Sequence, residues 1–129
     1  MLSNEDALLQ AMRAVLPKNA LVVFHGRQQR TLNELRTLWS RARVVVGAHG
    51  AGLSNLIYAA PGTALVEIAH PEPGLRFYML MAAALDLPYW AVTDVAPARY
   101  EHSVTINPER LAALVRAAYD DPSNVTHQH

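Results

Sequence analysis

The sequence predicts an α/β fold: a mostly parallel sheet of four to five strands held between two layers of helix. Two observations carry that expectation. Strand-like and helix-like segments alternate along the chain. The strand-like segments are also continuous apolar runs rather than period-two patterns, as expected of strands covered on both faces. The 129 residues suit one domain with a single core. It is expected over residues 1–119, with a flexible tail from 120 to 129.

Each element follows from its own signals. Ser3 is placed to cap a first helix, with Glu5 and Asp6 in the first turn, where the helix dipole favours them. Leu8, Ala11, Met12 and Val15 share one face of it, and Pro17 follows its end. Leu21-Val22-Val23-Phe24 reads as a first buried strand. Thr31-Leu32-Asn33-Glu34 has capping-box spacing and starts a second helix striped by Leu32, Leu35, Leu38 and Trp39. Val44-Val45-Val46 is the next buried strand and runs into a glycine-rich turn, after which Leu53, Leu56 and Ile57 mark a helix. Pro61-Gly62 ends that helix, and Ala64 to Ile68 is a third strand. A helix over Leu75 to Leu85 precedes a fourth strand, Tyr89 to Val92, and Val104-Thr105-Ile106 is expected as a short edge strand. Asn107-Pro108 caps and opens the last helix, with Leu111, Leu114, Val115 and Ala118 on one face. Right-handed crossovers bring the C-terminal ends of such strands to one edge, where ligands of Rossmann-like sheets bind.

Composition narrows the function. Lys plus Arg and Asp plus Glu number 11 each, so no overall field draws nucleic acid or anionic lipid, and any anion site must be local. The absence of cysteine excludes disulfides, thiolate metal sites and cysteine nucleophiles. The N-terminus is acidic where a signal peptide is basic, and no apolar run approaches the roughly 18 residues of a membrane span. The chain as it stands is therefore expected in the cytoplasm. The sequon Asn124-Val125-Thr126 reads as chance.

The turn Gly47-Ala48-His49-Gly50-Ala51-Gly52 carries the main signal. Glycines let a ligand approach the backbone, and free amides at a helix start bind phosphate. The spacing is Gly-x-x-Gly-x-Gly, neither the dinucleotide fingerprint nor a P-loop. An anion site and a tight packing turn both fit it, and His49 is either a donor to a diphosphate oxygen or a structural histidine. Glu67 is a carboxylate inside an apolar strand pattern, so a ligand hydroxyl or a nearby cap must satisfy it.

Other candidates are weaker. His25 ends the first strand and either faces the same edge or is solvated, His70 precedes a proline, and His102 reads as surface. His127 and His129 are spaced like a metal pair without a third ligand, so no metal site is expected. Asp86, Asp94 and Glu101 are carboxylates that nothing pairs. Phe77 to Met81 is apolar on more than one helix face, which suits either a doubly covered core helix or a face packing on another domain or a second copy.

The string from Ala42 to Ile57, containing His49-Gly50-Ala51-Gly52-Leu53 and Asn55-Leu56, resembles the C-terminal half of glycosyltransferase family 61, as do Pro61-Gly62-Thr63 and Val66-Glu67-Ile68. That family includes the EGF-domain O-GlcNAc transferases and plant xylan arabinosyl- and xylosyltransferases. The likeness extends more loosely from Leu21 to Trp90, including Arg76-Phe77-Tyr78. The chain departs from the family at Leu35, where glutamine is usual, and at Arg43, where aspartate is common. The resemblance implies an inverting, metal-independent transferase of the two-domain GT-B type, its donor, a nucleotide sugar such as a UDP-sugar, held by this C-terminal domain with no further cofactor. By position, Gly47, His49, Gly50, Ala51 and Gly52 would meet the diphosphate, His49 stabilising the leaving group. Ser54 and Asn55 would add hydrogen bonds, Glu67 would accept from ribose hydroxyls, and Arg27 would add charge. An N-terminal acceptor domain or partner chain would supply the base. The alternative is a non-catalytic nucleotide- or phosphate-binding module, or an oligomeric interaction module, of the same fold.

Overall fold

A computed structural model describes residues 4–24, 29–48, 50–68, 77–92, 96–97 and 104–121. In chain order these form α1 (Glu5–Val15), α2 (Leu32–Ser40), β1 (Val44–Ala48), a 3₁₀ helix (Ala51–Tyr58), β2 (Ala64–Ile68), α3 (Phe77–Ala84), β3 (Tyr89–Val92), β4 (Ala96–Pro97), β5 (Val104–Thr105) and α4 (Pro108–Asp120). The alternation of strand and helix read from the sequence is present. Strands β1, β2 and β3 make a parallel sheet in that order, with Val44 opposite Ala64 and Leu65 opposite Tyr89.

Side-chain alternation along the strands sorts the core into two layers. Val44, Val46 and Ala48 join Ala64, Val66, Ile68, Trp90 and Val92 on one face, against α1 and α4 through Leu8, Met12, Leu111 and Val115. Val45, Leu65 and Tyr89 lie on the other face, with Trp39 of α2, Leu53 and Leu56 of the 3₁₀ helix, and Tyr78 and Ala82 of α3. Two faces of a parallel sheet are thus covered, and the apolar runs have the physical cause inferred for them.

Local signals set the helix ends. Thr31 Oγ1 accepts from the Glu34 amide at 3.2 Å while Glu34 accepts from the Thr31 amide at 3.3 Å, completing the expected capping box. Asn107 Oδ1 caps α4 through the Arg110 amide at 3.0 Å, with Pro108 at the first helical position. Gly62 sits at φ 92°, the left-handed turn that reverses the chain into β2. Helix α1 starts after Asn4, one residue later than the expected Ser3 cap, which lies outside the described residues. The Asn4 side chain instead donates to the Ile106 carbonyl at 2.8 Å, tying α1 to the approach of α4.

Three expectations differ from the structure. Residues 21–24 join no ladder, so the parallel sheet has three strands among the described residues rather than four or five. Phe24 packs edge-on against Trp39 with centroids 5.4 Å apart, while Val22 is 62% exposed. Phe24 thus packs on α2 and Leu21 on the core under α1 and α4, and with no strand paired to its outer side β1 is an edge and only half-buried. A cavity of about 1130 Å³ opens beside that edge. The helix after the glycine turn, marked in the sequence by Leu53, Leu56 and Ile57 together, is a 3₁₀ helix that does not keep all three on one face. At three residues per turn Leu53 and Leu56 stack on the core while Ile57 is rotated by about 120°, and it is 59% exposed. Finally, Val104-Thr105 pairs antiparallel with Ala96-Pro97 in a separate two-stranded ladder. Among the described residues no helix is long and apolar enough to cross a membrane.

Candidate functional site

The glycine turn stands at the C-terminal end of β1, on the edge of the sheet where the parallel strands all end. Its glycines differ in what they contribute. A Cβ on Gly47 would lie 2.8 Å from Leu53 Cδ2, so this glycine exists to let the buried Leu53 close over β1. Gly50 is extended, at φ 172° and ψ 167°, a conformation any residue adopts, and a Cβ there would meet nothing nearer than the Ala48 carbonyl at 3.8 Å. At Gly52 a Cβ would have no neighbour within 4 Å, and the residue is exposed. Packing therefore explains the first glycine and leaves the second and third unexplained.

Gly50 caps the 3₁₀ helix and has no side chain of its own with which to cap the helix's first amides. The Leu53 amide donates to the Gly50 carbonyl at 3.1 Å. Asn55, expected to add a hydrogen bond to a ligand, turns its Nδ2 back to the Gly52 carbonyl at 3.0 Å. Ser54 is exposed one residue before it. Ala51 is placed in the helix by its backbone. His49 and Arg27 lie outside the described residues, as do His25, His70, His102, Asp94, Glu101, His127 and His129. The large cavity beside β1 extends to Gly47, Gly50 and Gly52 and is also lined by Arg30 and Arg43. Both guanidinium groups lie over aromatic rings, Arg30 at 5.7 Å from the Phe24 centroid and Arg43 at 4.3 Å from that of Tyr119.

Register places Gly47, Glu67 and Ala91 in one row across the sheet. Two small neighbours leave room for the Glu67 side chain on the face covered by the 3₁₀ helix and α3. Glu67 is only 1% exposed, and Tyr89 Oη donates to its Oε1 at 2.6 Å. Tyr89 stands opposite Leu65, one diagonal step from Glu67 on the same face, the separation a long side chain bridges. The carboxylate expected to meet ribose hydroxyls is thus bonded from within the fold through Oε1. Burial, the bond to Glu67 and the carboxylate's charge together hold the Tyr89 phenol well above its ordinary pKa.

Tyr78, at the start of α3, is buried and donates its hydroxyl to the Gly50 carbonyl. Burial and then the negative charge of Glu67 push its pKa up as well. In the sequence Tyr78 and Tyr89 read as helix and strand residues, Tyr78 also within the Arg76-Phe77-Tyr78 stretch that resembles the family. Their signal was parity: Tyr89 falls on the Glu67 face of the sheet, but only the register reveals it. Asp86, one of the unpaired carboxylates, lies at the other end of the sheet. It precedes β3, and its carbonyl accepts from the Gly62 amide, before β2 begins.

A family model described as Glycosyltransferase 61 matches residues 1–66. Over 76 residues, 59% of the chain, the sequence is 34% identical to a beta-1,2-xylosyltransferase of Arabidopsis thaliana, and that stretch covers 14% of the plant enzyme's length. No solved structure matches the chain. The matched residues run from the first helix through the capping box and the entire glycine turn into β2, about half of the sequence, and on that ground the chain belongs to glycosyltransferase family 61.

Proposed function

We propose that this chain is the donor-binding part of an inverting, metal-independent glycosyltransferase of the GT-B type, and that the diphosphate of a nucleotide sugar lies against the turn from Gly47 to Gly52. One observation carries the site: Gly50 and Gly52 leave bare backbone at the start of a helix whose cap residue has no side chain, where no packing demands glycine. Bare amides at a helix start favour an anion, and the dipole adds to them. Family membership supplies the reaction class, and the relative's name points toward a pentose donor such as UDP-xylose.

In this reading the bond from the anomeric carbon to the diphosphate oxygen breaks as an acceptor hydroxyl attacks from the opposite side. The leaving diphosphate takes the bonding pair, and the acceptor proton passes to a base on another domain or partner chain. The turn's amides and His49 stabilise the charge that grows on the leaving group. Ser54 and Arg27 add polar and positive contacts, and Glu67 acts from beneath the turn. A second reading, a nucleotide-binding module that assembles with another copy rather than catalysing, draws on Phe77 and Leu80, 62% and 64% exposed on the outer side of α3.

The test is a titration of the chain with UDP, UDP-GlcNAc and UDP-xylose, followed through backbone amide shifts. Saturable shifts centred on Gly47 to Asn55 are expected. No saturable shift with any of the three removes the donor-site proposal.

A further inference from the structure

The glycine turn is held by a side chain from an element distant in sequence, and this adds a residue to the site proposed above. Gly50 caps the helix without a side chain of its own, in a segment with three glycines among six residues. Such a backbone loses much conformational freedom when it adopts one shape. Its carbonyl accepts two hydrogen bonds: one from the Leu53 amide at 3.1 Å, within the 3₁₀ helix, and one from the Tyr78 hydroxyl, across from α3.

We infer that Tyr78 is a positioning residue for the anion site: its bond to the Gly50 carbonyl fixes the strand-to-helix turn so that the helix's first amides project together. The inference rests on the donor-site reading for its ligand, but not for its geometry. Tyr78 reaches the turn from a buried position on the sheet face that also holds Leu53, Leu56 and Trp39. Behind it lies Glu67, whose oxygen is occupied by Tyr89. The carboxylate's charge and the burial both keep the Tyr78 proton in place, and only the protonated phenol can donate to a carbonyl. Tyr78 of α3 thus holds the Gly50 peptide from the buried side, with the Glu67–Tyr89 pair of β2 and β3 near it, and need not touch the ligand. A ligand that binds a turn already fixed loses less free energy to ordering it, which is the physical content of preorganisation.

Tyr78→Phe keeps the ring that packs edge-on against Phe77, with centroids 5.0 Å apart, and deletes only the donor. Hydrogen exchange should accelerate at the Leu53 amide and through the 3₁₀ helix while the amides of β2 keep their protection. UDP affinity should fall by about threefold to tenfold, the effect of one hydrogen bond. Unchanged exchange at Leu53 overturns the inference, as does acceleration spread evenly over the sheet, which marks a merely structural residue. So does unchanged UDP affinity in a variant whose parent binds UDP. Should the parent bind no nucleotide, the donor-site reading falls, and the exchange result alone decides whether Tyr78 holds the turn.

Discussion

Gly52→Ala separates a ligand-facing glycine from a structural one, because the two roles predict opposite effects on two measurements. A methyl group at this position meets no atom within 4 Å, and Gly52 is not among the positive-φ glycines. The folded chain therefore accepts alanine without strain, while the unfolded chain loses conformational freedom. That combination stabilises by about 0.4–1 kcal/mol, a rise in Tm of roughly 1–4 °C for a domain of this size. Binding should move the other way. The added methyl stands beside the second amide of the helix, and blocking one hydrogen bond to a charged phosphate oxygen loses about 1.5–3 kcal/mol. UDP affinity should then fall by about tenfold to a hundredfold. Thermal melts and calorimetric titration of parent and variant read the two effects separately. A stabilised variant that binds UDP as tightly as the parent would refute the ligand-facing reading. A destabilised one would show that the fold needs the glycine after all.

Gly47→Ala should behave differently: it drives a Cβ to 2.8 Å from Leu53 Cδ2 and should destabilise by about 1–3 kcal/mol in chemical denaturation, partly relieved when Leu53→Ala is added. His49→Ala should weaken UDP binding while leaving the melting temperature near that of the parent, and equal affinity would remove His49 from the site. Tyr89→Phe takes a donor from the buried Glu67 carboxylate and should lower stability at neutral pH by about 1–3 kcal/mol. The same variant has an alkaline signature. Because the folded-state pKa of Tyr89 is raised, its contribution is complete below pH 10.0 and is lost as pH climbs from there through the folded value, the unfolded chain giving up its proton first. Replacing Tyr89 should flatten that loss in pH-dependent denaturation.

Short-range chemistry was legible in the sequence. The capping box of Thr31 and Glu34 needs only residues three apart, and Asn107-Pro108 likewise caps α4. Three parallel strands announced themselves as apolar runs because both of their faces are covered. An apolar run does not specify a hydrogen-bonding partner, however. Leu21 to Phe24 is as apolar as Val44 to Val46 and yet joins no ladder, its aromatic end anchored on Trp39 of α2. Helix type was hidden for a related reason. Leu53 and Leu56 are compatible with both three and 3.6 residues per turn, and only the exposure of Ile57 separates them. The partners of Glu67 were beyond reach, since Tyr89 is 22 residues away and register alone brings the two together.

The same distinction between near and far explains how the site can be rigid and bare at once. A turn rich in glycine is free to bind an anion only if something other than its own side chains restrains it. Here the strand end is restrained by Leu53, which fills the space a Cβ on Gly47 would take, and the helix end by Tyr78, which bonds the Gly50 carbonyl. Both restraints come from the buried side of the sheet. The opposite side of the turn, at Gly52, carries no side chain and meets no neighbour. A local motif supplies the bare amides, and a buried cluster assembled from three other elements supplies the stiffness. Substitutions at Gly50 and Gly52 should therefore act chiefly on affinity, whereas Tyr78→Phe should act on affinity through the exchange protection of the turn.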